Sequence, residues 1–174
     1  MIKVSGRVVY QNGEYVPEKD ARISIFDSAL MFGDMCFEMT RSFNKNQFLI
    51  KEHIDRLYVG LKILQIPIKL TKDELEKICF ETIERNQDVF ESHDEHRLLI
   101  NVSRGPLGIY APIFDNKLEC TVVVADFPLK WTVAGMDVLI DEGINGVVTS
   151  QRAIPSHLME PKIKNRSRLF YQMA

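Results

Sequence analysis

The chain has 174 residues, 45% of them hydrophobic and 26% charged, with a formal net charge of −2. That is enough apolar material for one ample domain, or one domain and part of a second. The near-balance of charge and the absence of any block of like charge give no reason to expect a nucleic-acid partner, and no apolar run is long enough to span a bilayer. Nothing after Met1-Ile2-Lys3-Val4-Ser5-Gly6 reads as a signal peptide. Cys36, Cys79 and Cys120 are odd in number and widely spaced. They read as free, mostly buried thiols in a reducing cytoplasm rather than as a disulfide framework or a zinc site. His93-Asp94-Glu95-His96 has the look of a metal cluster, but a solvated loop or helix end is its ordinary reading, and no metal is expected.

In chain order, Ile2 to Val16 reads as two strands joined by Asn12-Gly13, the strongest short hairpin signal. Cys36 to Phe43 and Gln47 to Ile50 read as a second hairpin around Asn44-Lys45-Asn46. A helix follows from about His53 to Gln65, with Ile54, Leu57, Leu61 and Leu64 on one face and Pro67 as its stop. Thr71-Lys72-Asp73-Glu74 has the form of a capping box. It opens a second helix in which Leu75, Ile78, Cys79, Thr82 and Ile83 share a face. Arg97 to Ser103 and Leu118 to Phe127 are apolar strands separated by a Gly/Pro-rich loop, Arg104 to Pro112. This order implies an α+β fold with the helices on one sheet face.

The pattern restarts near residue 130. Met136 to Ile140 and Gly146 to Ser150 read as new strands, and a loop carrying Lys162 leads into a last helix. The expected organisation is therefore an N-terminal two-layer α/β domain over 1–130 and the beginning of a larger α/β domain over 131–174. About forty residues are too few to bury a core of their own, so the second unit is expected to be incomplete, the front part of something longer.

Three polar groups could carry chemistry. A lysine entering a helix from a buried loop, as Lys162 would, can be desolvated and so freed to act as a nucleophile. Arg56, in His53-Ile54-Asp55-Arg56-Leu57, sits one turn into a helix, where it could grip a phosphate or merely form a surface ion pair. On the strand Phe37-Glu38-Met39-Thr40-Arg41, alternation places Phe37, Met39 and Arg41 on one face and Glu38 and Thr40 on the other. Charges in the middle of such a strand either face water or line a site. The loop from Arg104 to Pro112 is a simple connection or the rim of a site.

Taken together, Asp27 to Glu38, His53 to Leu57 and Lys162-Ile163-Lys164-Asn165 resemble the class IV aminotransferases, the fold type IV pyridoxal-phosphate enzymes. That family includes branched-chain and D-amino-acid aminotransferases and aminodeoxychorismate lyase. The resemblance implies pyridoxal 5'-phosphate as cofactor and an amino acid and a 2-oxo acid as substrates, exchanging an amino group in ping-pong fashion. It also implies a cytoplasmic homodimer. It makes Lys162 the Schiff-base lysine, because the family pattern of Lys, two residues, then Asn selects Lys162 over Lys164. Arg56 would bind the cofactor phosphate, and Glu38 would join the network near the lysine and the cofactor ring. Phe37, Arg41 and Tyr110 would line the substrate side. Phe37 matches the branched-chain group, and Phe32-Gly33-Asp34 is closer to the D-amino-acid group. The loop 104–112 lacks the Arg-x-His pair that D-amino-acid enzymes use for the substrate carboxylate. Glu38 stands where lyases commonly carry Thr. The alternatives are a lyase on the same scaffold and a non-catalytic relative serving as a binding or assembly module. In the family, the acidic partner of the pyridine nitrogen and part of the phosphate cup lie further along than residue 174. Turnover is therefore not expected of the 174 residues alone.

Overall fold

The computed structural model describes residues 6–174. The stretch Ile2–Ser5 of the expected first strand lies outside the described residues. Six strands form one antiparallel sheet: β1 (Val8–Gln11), β2 (Glu14–Pro17), β3 (Met35–Phe43), β4 (Asn46–Gln47), β5 (His96–Ser103) and β6 (Thr121–Pro128), in the order β2-β1-β6-β5-β3-β4. The first hairpin turns where the sequence signals it. Asn12 and Gly13 both have positive φ (50° and 100°), as the tight turn requires. The second turns on Asn44 and Lys45, with φ of 50° and 64°. Its return strand is shorter than expected, because Ile50 already begins a helix.

One face of the sheet is covered by α2 (Ile50–Ile63) and α3 (Lys72–Asn86), which follow the short α1 (Ser28–Phe32). Ile54, Leu57 and Leu61 of α2 and Leu75, Cys79 and Ile83 of α3 join Cys36, Leu98, Ile100, Val102, Val122 and Val124 of the strands in a single buried cluster. Every second residue of β5 and β6 is on that buried face. Their alternate residues, Leu99 and Val123 among them, are half-buried on the other face, except Ser103 at the end of β5, which is buried. The capping box at Thr71 is present: its hydroxyl accepts from Glu74 N–H, and the Glu74 carboxylate accepts from Thr71 N–H. Cys36 and Cys79 are buried free thiols and Cys120 is half-buried. Burial pushes the Cys36 thiol up to about 11. Among the described residues no helix is long and apolar enough to cross a membrane.

Three expectations are corrected. The loop after β5 is partly helical, a 3-10 segment over Gly108–Phe114. Met136 to Ile140 is not a strand. It falls in α5 (Asp137–Asp141), which follows the one-turn α4 (Lys130–Val133), and Gly146 to Ser150 has no regular structure. An apolar run becomes a strand only when a neighbour takes up its hydrogen bonds, and among the described residues no strand lies alongside this one. The last helix, α6 (Leu169–Gln172), is a single turn starting well after Lys162. Val138, Leu139, Ile140, Val147 and Val148 are all exposed.

Asp27 ties the first loop to the sheet. Its carboxylate, 1% exposed, accepts from Ala29 N–H (2.8 Å), Ser103 Oγ (2.7 Å) and Thr121 Oγ1 (2.6 Å). Asp27→Ala leaves these donors without a partner and is expected to cost about 1–3 kcal/mol or more, read as a lowered urea midpoint at unchanged m-value.

Candidate active site

The site is organised by the alternation of β3. Cys36, Glu38, Thr40 and Ser42 point into the helix-covered face, and Phe37 and Arg41 lie on the other, as the strand period dictates. Glu38 is fully buried, and two side chains of α2 meet it. Arg56 grips it through two nitrogens, Nε to Oε1 at 2.5 Å and Nη2 to Oε2 at 2.7 Å, and His53 Nδ1 lies 2.8 Å from Oε2. His53 and Arg56 are three residues apart, which places both on the helix face that looks down on the carboxylate. Burial pushes the Glu38 carboxyl up, but the bonds from Arg56 and His53 outweigh it and hold it below the ordinary glutamate range. The same pairing raises Arg56. Arg56 is nevertheless 49% exposed, and its Nη1 has no hydrogen-bond partner among the described residues.

A cleft of about 550 Å³ opens where the segment 153–171 lies against this part of the sheet. Its lining includes Phe37, Arg56, Lys162, Lys164, Arg168 and Tyr171. The segment is held at the free edge of β3. β4 pairs only with Ser42 and Phe43, so the edge is open at Phe37, whose N–H donates to Lys164 O at 2.9 Å. Beside that bond, Ile163 packs on the core cluster, close to Gly60 of α2. Arg166 donates to Asn101 Oδ1 of β5 at 2.9 Å, and its guanidinium lies 4.4 Å from the centre of the Phe37 ring.

Of the residues expected from the sequence, the structure brings Phe37, Arg56 and Lys162 to one cleft. Glu38 does not line it; its carboxylate reaches the cleft only through Arg56. Arg41 stays on the sheet face, its guanidinium 4.0 Å from the centre of the Phe43 ring. Tyr110 is elsewhere, on the 3-10 segment against Phe26, with ring centres 4.7 Å apart. Lys162 is an exposed residue of a turn and does not enter a helix from a buried loop. Sequence reasoning missed His53 as the second partner of Glu38, although its spacing from Arg56 was the available signal. It also missed Lys164, Arg166 and Arg168 as cations around the cleft, since contacts between a C-terminal segment and a strand leave no local pattern. Glu91, His93 and Asp94 do cluster, but Lys130 Nζ sits 2.9 Å from both the Glu91 and Asp94 carboxylates and pairs with each.

A cleft of this size suits a small molecule. Arg56, Lys162, Lys164 and Arg168 are among its lining, and Glu160 is the carboxylate there. That donor set fits an anionic ligand with an electrophilic carbonyl carbon, phosphate toward Arg56 and carbonyl toward a lysine.

The family model described as Amino-transferase class IV matches residues 35–174. A putative branched-chain-amino-acid aminotransferase of Methanocaldococcus jannaschii is 34% identical over 161 residues, 90% of this chain and 50% of that protein. An aminodeoxychorismate lyase of Bacillus subtilis is 33% identical over 109 residues, 63% of this chain and 37% of the lyase. Among solved structures, the branched-chain aminotransferase of Thermoproteus uzoniensis with norvaline shares the fold, with a TM-score of 0.71 at 23% identity over 98% of this chain and 55% of that one. The chain thus spans about half the length of the curated branched-chain relatives it matches.

Glu38→Gln tests the buried clamp. A carboxyl held below its unfolded value stabilises the fold fully above that value, and the contribution is lost as pH falls through the lower, folded one. Stability of the native chain is therefore expected to fall as pH drops below about 4. In Glu38→Gln, already weaker by about 1–3 kcal/mol at neutral pH, the fall is expected to be shallower. Urea unfolding across pH 3–7 checks both; parallel curves for the two proteins would reject the clamp.

Proposed function

The chain belongs to the class IV aminotransferases, and on that premise we propose that it forms the part of a pyridoxal-5'-phosphate-dependent aminotransferase that holds the cofactor's phosphate and its aldehyde. The observation that carries the reading is that Arg56, anchored by Glu38, lines one cleft together with Lys162 and Lys164. When bound, the cofactor supplies the electron sink that makes Cα of an amino acid acidic. The residues of this chain do the rest. Arg56 would take the phosphate with Nη1, its plane already set by the two bonds to Glu38. A lysine of the segment 162–164 would hold the aldehyde through Nζ and, once released, carry a proton to and from the substrate carbon. The Phe37 ring would form an apolar wall on the substrate side.

We also propose that residues 131–174 belong to a second unit beyond the six-stranded domain, since their apolar side chains are left exposed. For the substrate, the branched-chain relatives and the apolar wall at Phe37 favour an aliphatic amino acid donating to a 2-oxo acid. The second reading is elimination by a lyase on the same scaffold, favoured by the similarity to the Bacillus subtilis lyase. Incubating the full-length protein with pyridoxal 5'-phosphate, 2-oxoglutarate and each enantiomer of leucine, isoleucine and valine tests the first, and incubation with aminodeoxychorismate tests the second. Keto acid from the aliphatic donor supports the transaminase. Pyruvate released from aminodeoxychorismate without a keto-acid acceptor supports the lyase.

Arg56→Lys keeps a charge for Glu38 but loses the planar fork. It is expected to weaken cofactor affinity by about 1–2 kcal/mol, roughly 5- to 30-fold, in an absorbance titration with pyridoxal 5'-phosphate. An unchanged titration would remove Arg56 from the phosphate site.

A further inference from the structure

His53 touches Glu38 but does not line the cleft, so any effect it has on a ligand there must pass through the Glu38–Arg56 pair. It sits near the start of α2, three residues before Arg56, and is 22% exposed, whereas the Glu38 carboxylate has no exposed surface. Its Nδ1 lies 2.8 Å from Glu38 Oε2 and 3.4 Å from Arg56 Nη2.

The neighbours decide which form of the imidazole is present. The Glu38 carboxyl is held below its ordinary range, so it is ionised at neutral pH and can only accept. A guanidinium can only donate. The contact with Oε2 therefore needs a proton on Nδ1, and a neutral ring carries its one proton there, leaving Nε2 bare. A protonated ring carries Nδ1–H as well, so the bond is made in either state. Arg56 Nη2 and His53 Nδ1 are then two donors converging on one oxygen, and the 3.4 Å between them is not a hydrogen bond. Three donors thus share the two oxygens: Arg56 Nε on Oε1, and Arg56 Nη2 with His53 Nδ1 on Oε2. Without the imidazole, the carboxylate is free to turn about its last bond and take the guanidinium with it, so the plane of the fork is no longer set.

We infer that His53, as the Nδ1–H tautomer, is a positioning residue for the cofactor's phosphate: it locks the Glu38 carboxylate, and through it the Arg56 guanidinium, in the orientation that receives the anion. The inference rests on the function just proposed, in which Arg56 takes the phosphate. A group held in place before its ligand arrives loses less freedom on binding. The imidazole therefore adds to phosphate affinity without touching the phosphate, and adds nothing for a ligand that lacks one.

The test titrates the full-length protein by absorbance with pyridoxal 5'-phosphate and with pyridoxal, which lacks the phosphate. His53→Ala removes the donor. His53→Asn places an amide N–H close to where Nδ1 stands, and His53→Gln carries its amide out to the place of Nε2. His53→Ala and His53→Gln are expected to weaken pyridoxal 5'-phosphate about 3- to 10-fold and leave pyridoxal unchanged, with His53→Asn within about twofold of the native protein. In the native protein, nitrogen–proton correlation spectra of the imidazole are expected to place the proton of the neutral ring on Nδ1, a result that stands even if a variant fails to fold. An unmoved titration in His53→Ala, an equal loss for both ligands, no recovery in His53→Asn, or a neutral ring protonated on Nε2 overturns the inference and leaves the proposed function standing. If the native protein takes up no pyridoxal 5'-phosphate, or Arg56→Lys leaves its affinity unchanged, the proposed phosphate site fails and the inference with it.

Discussion

A carboxylate with no exposed surface is tolerated only when its charge is met, because stripping water from an unpaired ion costs several kcal/mol. Glu38 is in that position, and the geometry around it follows. Two bonds from Arg56 and one from His53 satisfy both of its oxygens. The guanidinium is then no longer a swinging surface group. Two of its nitrogens are committed below, and the third is left to the cleft in a fixed plane. The pairing adds little to net stability in itself, since an apolar replacement of both partners could serve as well. What it provides is direction: a cation presented at a set angle beside Phe37, with little rotamer freedom left to lose when an anion arrives.

The same strand explains how one short stretch serves two faces. Because successive residues of β3 alternate, Glu38 anchors the helix layer while its neighbour Phe37 faces the cleft and, through its backbone N–H, holds the segment bearing the lysines. A slip of one residue in the pairing of β3 with β5 would exchange these roles, placing a carboxylate in the cleft and a phenyl ring beneath α2. The register is secured by the core residues of the same face, Cys36 among them, against Leu98, Ile100 and Val102.

Much of this was legible in the residues and some was not, for reasons that are physical. Asn12-Gly13 and the Thr71 box announce their structures because a few adjacent residues carry the whole signal, a positive φ in one case and a reciprocal pair of bonds in the other. The split of Phe37 from Glu38 follows from a period of two. By contrast, Met136 to Ile140 is an apolar run whose state depends on whether a partner strand exists, and that information is not in the run. The different surroundings of Lys162 and Lys164 are information of the same kind. Both have the right chemistry and nearly the same position in sequence. They are distinguished only by what lies across from them in space: Glu160 and solvent for one, Phe37, Arg166 and a strand edge for the other. Tyr110 illustrates the converse error, since residues of a Gly/Pro-rich loop can turn toward a site or away from it, and here the ring prefers Phe26.

One small residue lets α2 lie close on β3 beneath the lysine segment. Gly60 lies on the buried side of α2, where a Cβ would come within 2.9 Å of Cys36 Sγ and 3.9 Å of the Ile163 backbone. A methyl there would crowd the Cys36 thiol, so that either this side chain or α2 must give way where strand, helix and segment converge. Any shift taken up by α2 would carry Arg56 away from the edge that bears Phe37. Within a helix, glycine costs about 1 kcal/mol relative to alanine, and close approach of the three elements is what offsets that cost here. The distance between the guanidinium and the lysines is therefore a packing property of the core, set beneath the cleft, and the chemistry at its surface inherits its geometry from Cys36, Gly60 and Ile163.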